Sequence, residues 1–321
     1  MRGRVPRWRQ TKTGARIRET ASPKGARYRN PDQAGFSAAP YAGLRVSITA
    51  KALWYIESHL SENLSLETVA EAIGISRFHL SRAFPVSAGY AFGQYIRARR
   101  LSEAAKVLAG GAPDILDVAL DAGYGSHEAF TRAFSLQFGV TPEQIRAQAT
   151  VERINVMEPI RMETATTTPL APPQTIQWRA LLIFGIGQRY QCNEKGAIPS
   201  QWLRFVPHLG NIPGQVGRIA YGVIYNTDDT GGFDYLCGVE VKEFPAQPAE
   251  FTRLRVPPQK YAVFEHKDHI STIASTFSAI WNHGLTDSGF RAADGPALER
   301  YGEEFDARTG LGGLQIWVPI R

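Results

Sequence analysis

The sequence predicts a multidomain chain, with an all-α region built from two helix-turn-helix units followed by an α+β region made of two similar halves. Three observations carry that expectation. One pattern occurs twice, fifty residues apart, as Ser76-Arg-Phe-His-Leu-Ser-Arg-Ala-Phe84 and Ser126-His-Glu-Ala-Phe-Thr-Arg-Ala-Phe134. After residue 150 the helical apolar period gives way to β-branched and aromatic runs. Within that second region Tyr221-Gly222 recurs as Tyr301-Gly302, and Gly231-Gly232 as Gly312-Gly313.

The elements follow in order. Residues 1–40 hold ten Lys/Arg against Glu19 and Asp32, a net charge of +8, with no apolar period, and are expected to be a basic disordered tail able to hold DNA phosphates. From Val46, a stripe of Ile48, Ala52, Leu53, Ile56 and Leu60 predicts a helix. Leu66–Ile73 predicts a second, which Gly74 ends where a turn needs positive φ. Ser76 then caps a third helix by accepting an orphan N–H of its first turn. Along that third helix Leu80, Ala83 and Phe84 share the apolar face, leaving Arg77, Phe78, Ser81 and Arg82 on the other. Pro85 lacks a helical N–H and is expected to shorten this helix. A long helix spans about Phe92–Leu108, and Gly110-Gly-Ala-Pro113 stops it. The pattern then repeats: Ile115–Ala122, Gly123, a Ser126 cap, an apolar face of Phe130, Ala133 and Phe134, and an opposite face of His127, Glu128, Thr131 and Arg132. Gly139-Val-Thr-Pro142 starts a last helix to Ala149. Beyond it, residues 153–157, 219–225, 235–241, 251–256, 260–266 and 314–320 read as strands, and 200–209 and 271–281 as helices.

Composition narrows the function. The chain of 321 residues carries a net charge of +6, yet residues 41–150 hold ten basic and ten acidic side chains, so any DNA contact there rests on placement. No apolar run approaches the roughly 18 residues of a membrane span. The Arg-rich start lacks the apolar core of a secretory signal, so the cytoplasm is the expected compartment. Cys192 and Cys237 lie far apart without metal-ligand spacing, and read as small apolar thiols. No Ser-His-Asp, metal or phosphate-loop constellation stands out, and no cofactor is expected. Helix, glycine turn and capped helix form the unit that sets its second helix in a DNA major groove.

Residues 45–149 resemble the DNA-binding region of the AraC/XylS family of transcriptional regulators. The matching stretches are Leu66–Phe84, Gly93-Gln-Tyr-Ile-Arg-Ala-Arg-Arg-Leu101, and Gly123–Phe138 with Gly139-Val-Thr-Pro142. The resemblance implies that double-stranded DNA is the partner, read in successive major-groove segments by Arg77, Phe78, Ser81 and Arg82 in the first unit and by His127, Glu128, Thr131 and Arg132 in the second. Arg82 and Arg132, at equivalent exposed offsets, can fork onto guanine O6/N7, and Glu128 can accept from cytosine N4. RNA polymerase is a further partner consistent with such a regulator.

Residues 152–321 resemble the GyrI-like effector-binding domain. The resemblance rests on Ile198-Pro-Ser-Gln-Trp-Leu-Arg-Phe205, Phe233-Asp-Tyr-Leu-Cys-Gly-Val-Glu-Val241, Tyr261-Ala-Val-Phe264, Glu299-Arg-Tyr301 and Ile316-Trp-Val-Pro-Ile320. It implies strand-helix-strand-strand halves forming a curved sheet with a central cleft for an aromatic or cationic small molecule. Glu299 matches the acidic cleft position; Glu240, Tyr225, Tyr301, Trp281 and Trp317 complete the expected effector set, with Trp202, Tyr221 and Tyr261 as further aromatic faces. Gln315 stands where relatives commonly have Glu. The division expected is thus a tail over 1–40, a DNA-binding module over 41–150 and an effector domain over 151–321. Two alternatives stay open for the last: a small-molecule hydrolase using Glu299 and Tyr301, or a module that binds a protein partner.

Overall fold

The computed structural model describes residues 46–112, 114–161, 169–192, 195–246 and 249–321; the basic tail and Pro113 lie outside them. Seven helices come first: α1 (Ile48–Ser58), α2 (Leu66–Ala72), α3 (Arg77–Ala88), α4 (Phe92–Ala109), α5 (Ile115–Asp121), α6 (His127–Phe138) and α7 (Pro142–Gln148). The repeat in the sequence becomes a repeat in structure. Ser76 accepts from the His79 N–H and Ser126 from the Ala129 N–H, and each capped helix runs twelve residues to a left-handed glycine, Gly89 or Gly139. Gly74 and Gly123 adopt φ of 78° and 84° in the two turns, as a β-carbon there would resist. Helix α3 continues through Pro85 to Ala88 rather than stopping early, because Leu80, Phe84 and Ala88 hold its buried face on both sides of the proline.

Helix α4 serves both units. Its first half sends Phe92, Tyr95 and Ile96 into a core with Leu53, Ile56, Leu80 and Phe84. Its second half sends Leu101, Ala105 and Leu108 into a core with Val118, Phe130, Phe134 and Ile145. Residues 153–157, expected as a strand, form none. Among the described residues this segment has no neighbouring strand, and it bonds instead to α4: the Met157 N–H donates to Ser102 Oγ at 2.8 Å, and Arg99 Nη1 donates to Met157 O at 2.7 Å. Met157 and Ile160 pack on the first core, Val151 and Ile154 on the second, so the connection straps the two units along α4.

Among the described residues that follow there is one antiparallel sheet of eight strands: β1 (Gln174–Trp178), β2 (Leu181–Gln191), β3 (Gln215–Tyr225), β4 (Gly232–Val241), β5 (Thr252–Val256), β6 (Gln259–His266), β7 (Ala297–Tyr301) and β8 (Leu314–Pro319), ordered β1-β6-β8-β7-β3-β4-β2-β5. Helix α8 (Ile198–Phe205) follows β2. Helix α9 (Ile273–Ala279) follows β6 and runs on through a π-helical turn, Ile280–Gly284, to Asp287. Two strand-helix-strand-strand halves result, β2-α8-β3-β4 and β6-α9-β7-β8, and they meet where β3 pairs with β7. One face carries α8 and α9. The other gathers Leu181, Tyr221, Val256, Tyr261 and Trp317, with Trp178 of β1 and Leu254 of β5 packed against them, so the sheet curls until its two edges share a core.

Candidate DNA-reading helices and effector cleft

On α6 the local rules place the expected side chains outward. Glu128 and Arg132 are exposed, while the aromatic face of Phe130 and Phe134 is fully buried. Glu128 sits in the first turn, where backbone N–H groups and the Ser126 hydroxyl hold its carboxyl below the usual range. His127 Nε2 lies 3.2 Å from Glu143 Oε1 at the start of α7, and Thr131 is half-buried with its hydroxyl facing inward.

Helix α3 differs, although the sequence pattern made the two equivalent. Arg77 is exposed, 2.9 Å from Glu67 and 3.2 Å from Asp229, with its guanidinium 5.6 Å from the Phe78 ring. Phe78 is half-buried. Ser81 is buried and donates back to Phe78 O at 3.0 Å. Arg82 corrects the expectation of an exposed fork. Its guanidinium is inside the protein, donating to Gly295 O at 2.8 Å and lying 5.7 Å from the Trp281 ring centre. Burial pulls its pKa down to about 10, with the Asp294 charge opposing. Helical period assigns such a position to solvent only if no second domain covers it.

In the sheet, Glu299 occupies the junction of the two halves, paired with Gly222 of β3 and Ile316 of β8. Its Oε2 accepts from Tyr235 Oη at 2.6 Å and from Tyr301 Oη at 2.9 Å. Trp202 of α8 donates Nε1 to Tyr235 Oη at 2.9 Å, and its ring stands edge-on to Tyr301 at 4.8 Å. Glu299 is only 7 % exposed. Burial raises its pKa, and the two phenol hydroxyls offset part of that rise. Both tyrosines are pushed far up by burial and by the adjacent carboxyl. The result is a buried carboxyl bonded to two phenol hydroxyls, with the Trp202 indole held against both tyrosines.

Only a glycine permits this cluster. A β-carbon on Gly222 would lie 2.2 Å from Tyr235 Oη and 2.6 Å from Glu299 Oε2. Gly222→Ala is therefore expected to destabilise the protein by about 1–3 kcal/mol through overpacking. Thermal unfolding checks it; an unchanged midpoint would show that the tyrosine moves aside freely.

The structure brings together two of the six expected effector residues, Glu299 and Tyr301, and separates the rest. The reason is the period of two along a strand. Glu299 and Tyr301 share the helix-bearing face, whereas Leu298 faces the other way and pairs with Trp317. Tyr225 belongs to that opposite face too. Glu240 lies there as well, alternating with the helix-side Val239, and is tied to Arg179 Nη1 at 2.5 Å. Trp281 is core beneath α3, its ring centre 5.7 Å from that of His79. Gln315 accepts from Trp317 Nε1 at 3.1 Å, away from the carboxyl. Tyr235 and Gly222 are the cluster members that sequence reasoning missed. Tyr235 sits in alternation with Cys237 and Val239 on β4, but it pairs with Ile224 and reaches its hydroxyl diagonally over Gly222, a placement set by a register that sequence does not show. Cys237 is buried and its thiol is pushed up to about 12 by desolvation; Cys192 and Cys237 are both free. Among the described residues no three His, Cys, Asp or Glu converge as metal ligands, and no helix is long and apolar enough to cross a membrane.

Comparison with known proteins agrees with both regions. Residues 171–321 match the family described as a GyrI-like small molecule binding domain, and residues 69–148 match a helix-turn-helix domain. The chain is 36% identical over 282 residues to the right origin-binding protein of Escherichia coli K12, covering 84% of this chain and 96% of that protein. It is 26% identical over 285 residues to the transcriptional regulator Rob of Salmonella typhimurium, with the same coverage of 84% and 96%. Over 92 residues, 29% of this chain, it is 40% identical to the multiple antibiotic resistance protein MarA of Salmonella typhimurium, covering 72% of that protein. The two helix-turn-helix units joined by α4, the curled sheet of two halves and the 36% identity to the right origin-binding protein over 84% of this chain lead to one conclusion: the chain belongs to the AraC/XylS family of DNA-binding transcriptional regulators, with a C-terminal GyrI-like domain for a small-molecule effector.

Proposed function

We propose that α3 and α6 read two successive major-groove segments and that the cluster around Glu299 reads a cationic or aromatic effector that sets how well they do so. The observation that carries the DNA half is α6 itself: a capped twelve-residue helix with Glu128 and Arg132 turned outward from a fully buried aromatic face. His127 and Thr131 flank them, and Arg77, Phe78, Ser81 and Arg82 form the matching set on α3. The observation that carries the effector half is the carboxyl of Glu299 among Tyr235, Tyr301 and Trp202. Residues 1–40 would add sequence-independent phosphate contacts, 41–150 the reading of bases and 151–321 the sensing. We place the protein in the cytoplasm, acting with RNA polymerase and without turning over its effector.

Arg132→Ala tests the DNA half. Loss of a bidentate contact to a base edge costs about 1–3 kcal/mol of specific affinity, and an exposed side chain can be removed without loss of fold. Operator affinity by fluorescence anisotropy should fall while the melting temperature stays put. Equal affinity would remove Arg132 from the reading set.

A further inference from the structure

The helix assigned to DNA in the first unit is held along its length by the effector domain. Ile48 and Ala83 lie in one apolar cluster with Phe264, Ile280, Trp281 and Ile316. Ser76 Oγ donates to Ala292 O at 2.9 Å, and His79 Nε2 stands 2.5 Å from Trp281 O. Asn282 accepts from the Thr49 N–H at 3.1 Å and donates to Ser87 Oγ at 2.6 Å. The two arginines are met individually: Arg82 by Gly295 O at 2.8 Å inside the seam, and Arg77, exposed at its rim and already 2.9 Å from Glu67 of its own unit, by the Asp229 carboxylate at 3.2 Å. On α6, Glu128 and Arg132 remain exposed.

We propose that the effector domain closes the first DNA-reading helix by supplying both of its arginines with acceptors, so that this conformation offers DNA only the second unit and full operator binding requires the α3 seam to open. The inference rests on the reading that α3 contacts DNA. Two features make the seam a reversible closure rather than a permanent one. Arg82 Nη1 and Tyr261 Oη are buried there without a hydrogen-bond partner among the described residues, which is unfavourable in a dry site. A guanine edge offers the same guanidinium two acceptors, so DNA gives back what the seam withholds. Second, Trp281 and Asn282, which clamp α1 and α3, belong to the π-helical turn Ile280–Gly284, an irregularity that concentrates at functional positions. The seam also lies one strand from the effector carboxyl, since Ile316 in its core pairs with Glu299.

The Ser87 and Ser278 hydroxyls are 3.1 Å apart across the seam, which allows a lock. In the full-length chain carrying Ser87→Cys, Ser278→Cys and Cys192→Ser, oxidation should close the seam and reduction release it. On an operator selected from random duplexes, the oxidised form should bind about tenfold or more weakly and protect only the second-unit segment, with recovery on reduction. Single-cysteine chains control for oxidation elsewhere. Identical affinity and footprint in both redox states, with the cross-link confirmed by mass, would overturn the proposal. Asn282→Ala gives an independent arm without a cross-link: loosening the clamp should raise operator affinity at least about threefold, and unchanged or weaker binding by a folded variant would also overturn it. In that same background, adding Arg77→Ala and Arg82→Ala should erase protection of the first segment. If protection persists, α3 is not a reader, and the failure belongs to the functional reading rather than to the seam.

Discussion

Arg99→Ala is expected to lower the unfolding free energy by about 3 kcal/mol, the scale for removing one partner of a buried ion pair. The Arg99 side chain is 4% exposed and spends every arm of its fork. Nε and Nη2 donate to Glu57 at 3.0 and 2.8 Å, and Nη1 donates to Glu103 at 2.9 Å and to Met157 O at 2.7 Å. Tyr95 Oη adds a bond to Glu57 at 2.7 Å. Alanine leaves the Glu57 carboxylate, 22% exposed, with Tyr95 as its remaining partner and removes one of the bonds that tie residues 151–160 to α4. Arg99→Lys keeps the charge without the planar fork and should recover only part of the loss. Urea titration followed by circular dichroism measures both variants. A loss under about 1 kcal/mol for alanine would mean the pair acts as an exposed one, worth little.

Glu299→Gln is expected to weaken benzyltrimethylammonium by about tenfold or more while sparing its neutral isostere neopentylbenzene, because the amide keeps the shape and loses the charge that faces the cation. The pH dependence has a definite sign. Burial raises the folded-state pKa of Glu299, so the stability linked to this group is fully present below the unfolded carboxyl value and is lost as pH rises through the raised folded value. Cation binding runs the other way. It requires the charged form, so affinity should strengthen as pH rises through that value, with a proton released on binding below it. Calorimetry in two buffers of different ionisation enthalpy reads the proton directly. The same pH profile in wild type and Gln variant would show that Glu299 is not the group that titrates.

The helical half was legible because its period is local. Ser76 and Ser126 announce the caps, Gly74, Gly123 and Gly139 the turns, and the Leu80/Phe84 and Phe130/Phe134 stripes the cores. The sheet was legible in part. Strand β2 escaped because Gly185 and Gly187 interrupt its apolar run; a β-carbon at Gly185 would sit 2.0 Å from Cys237 O, so close strand contact rather than β propensity keeps that glycine. Of the expected effector residues, Glu299 and Tyr301 lie together, whereas Tyr225, Glu240 and Trp317 were placed beside them without knowledge of strand register, and register decides which face a residue takes. Arg82 was misplaced for a different reason. A polar stripe opposite a helix's own core looks the same in sequence whether water, DNA or a neighbouring domain covers it.

The most direct measurement of effector control is operator affinity of the full-length chain as benzyltrimethylammonium is added, in wild type and Glu299→Gln, at fixed salt because phosphate contacts make affinity salt-dependent. Coupling between the sites is reciprocal, so DNA must shift cation affinity by the same factor. The expected result is a saturable change in DNA affinity for wild type, mirrored in cation binding and absent from the Gln variant. Operator affinity unmoved by the cation in wild type, or moved equally in both proteins, would contradict effector control through Glu299.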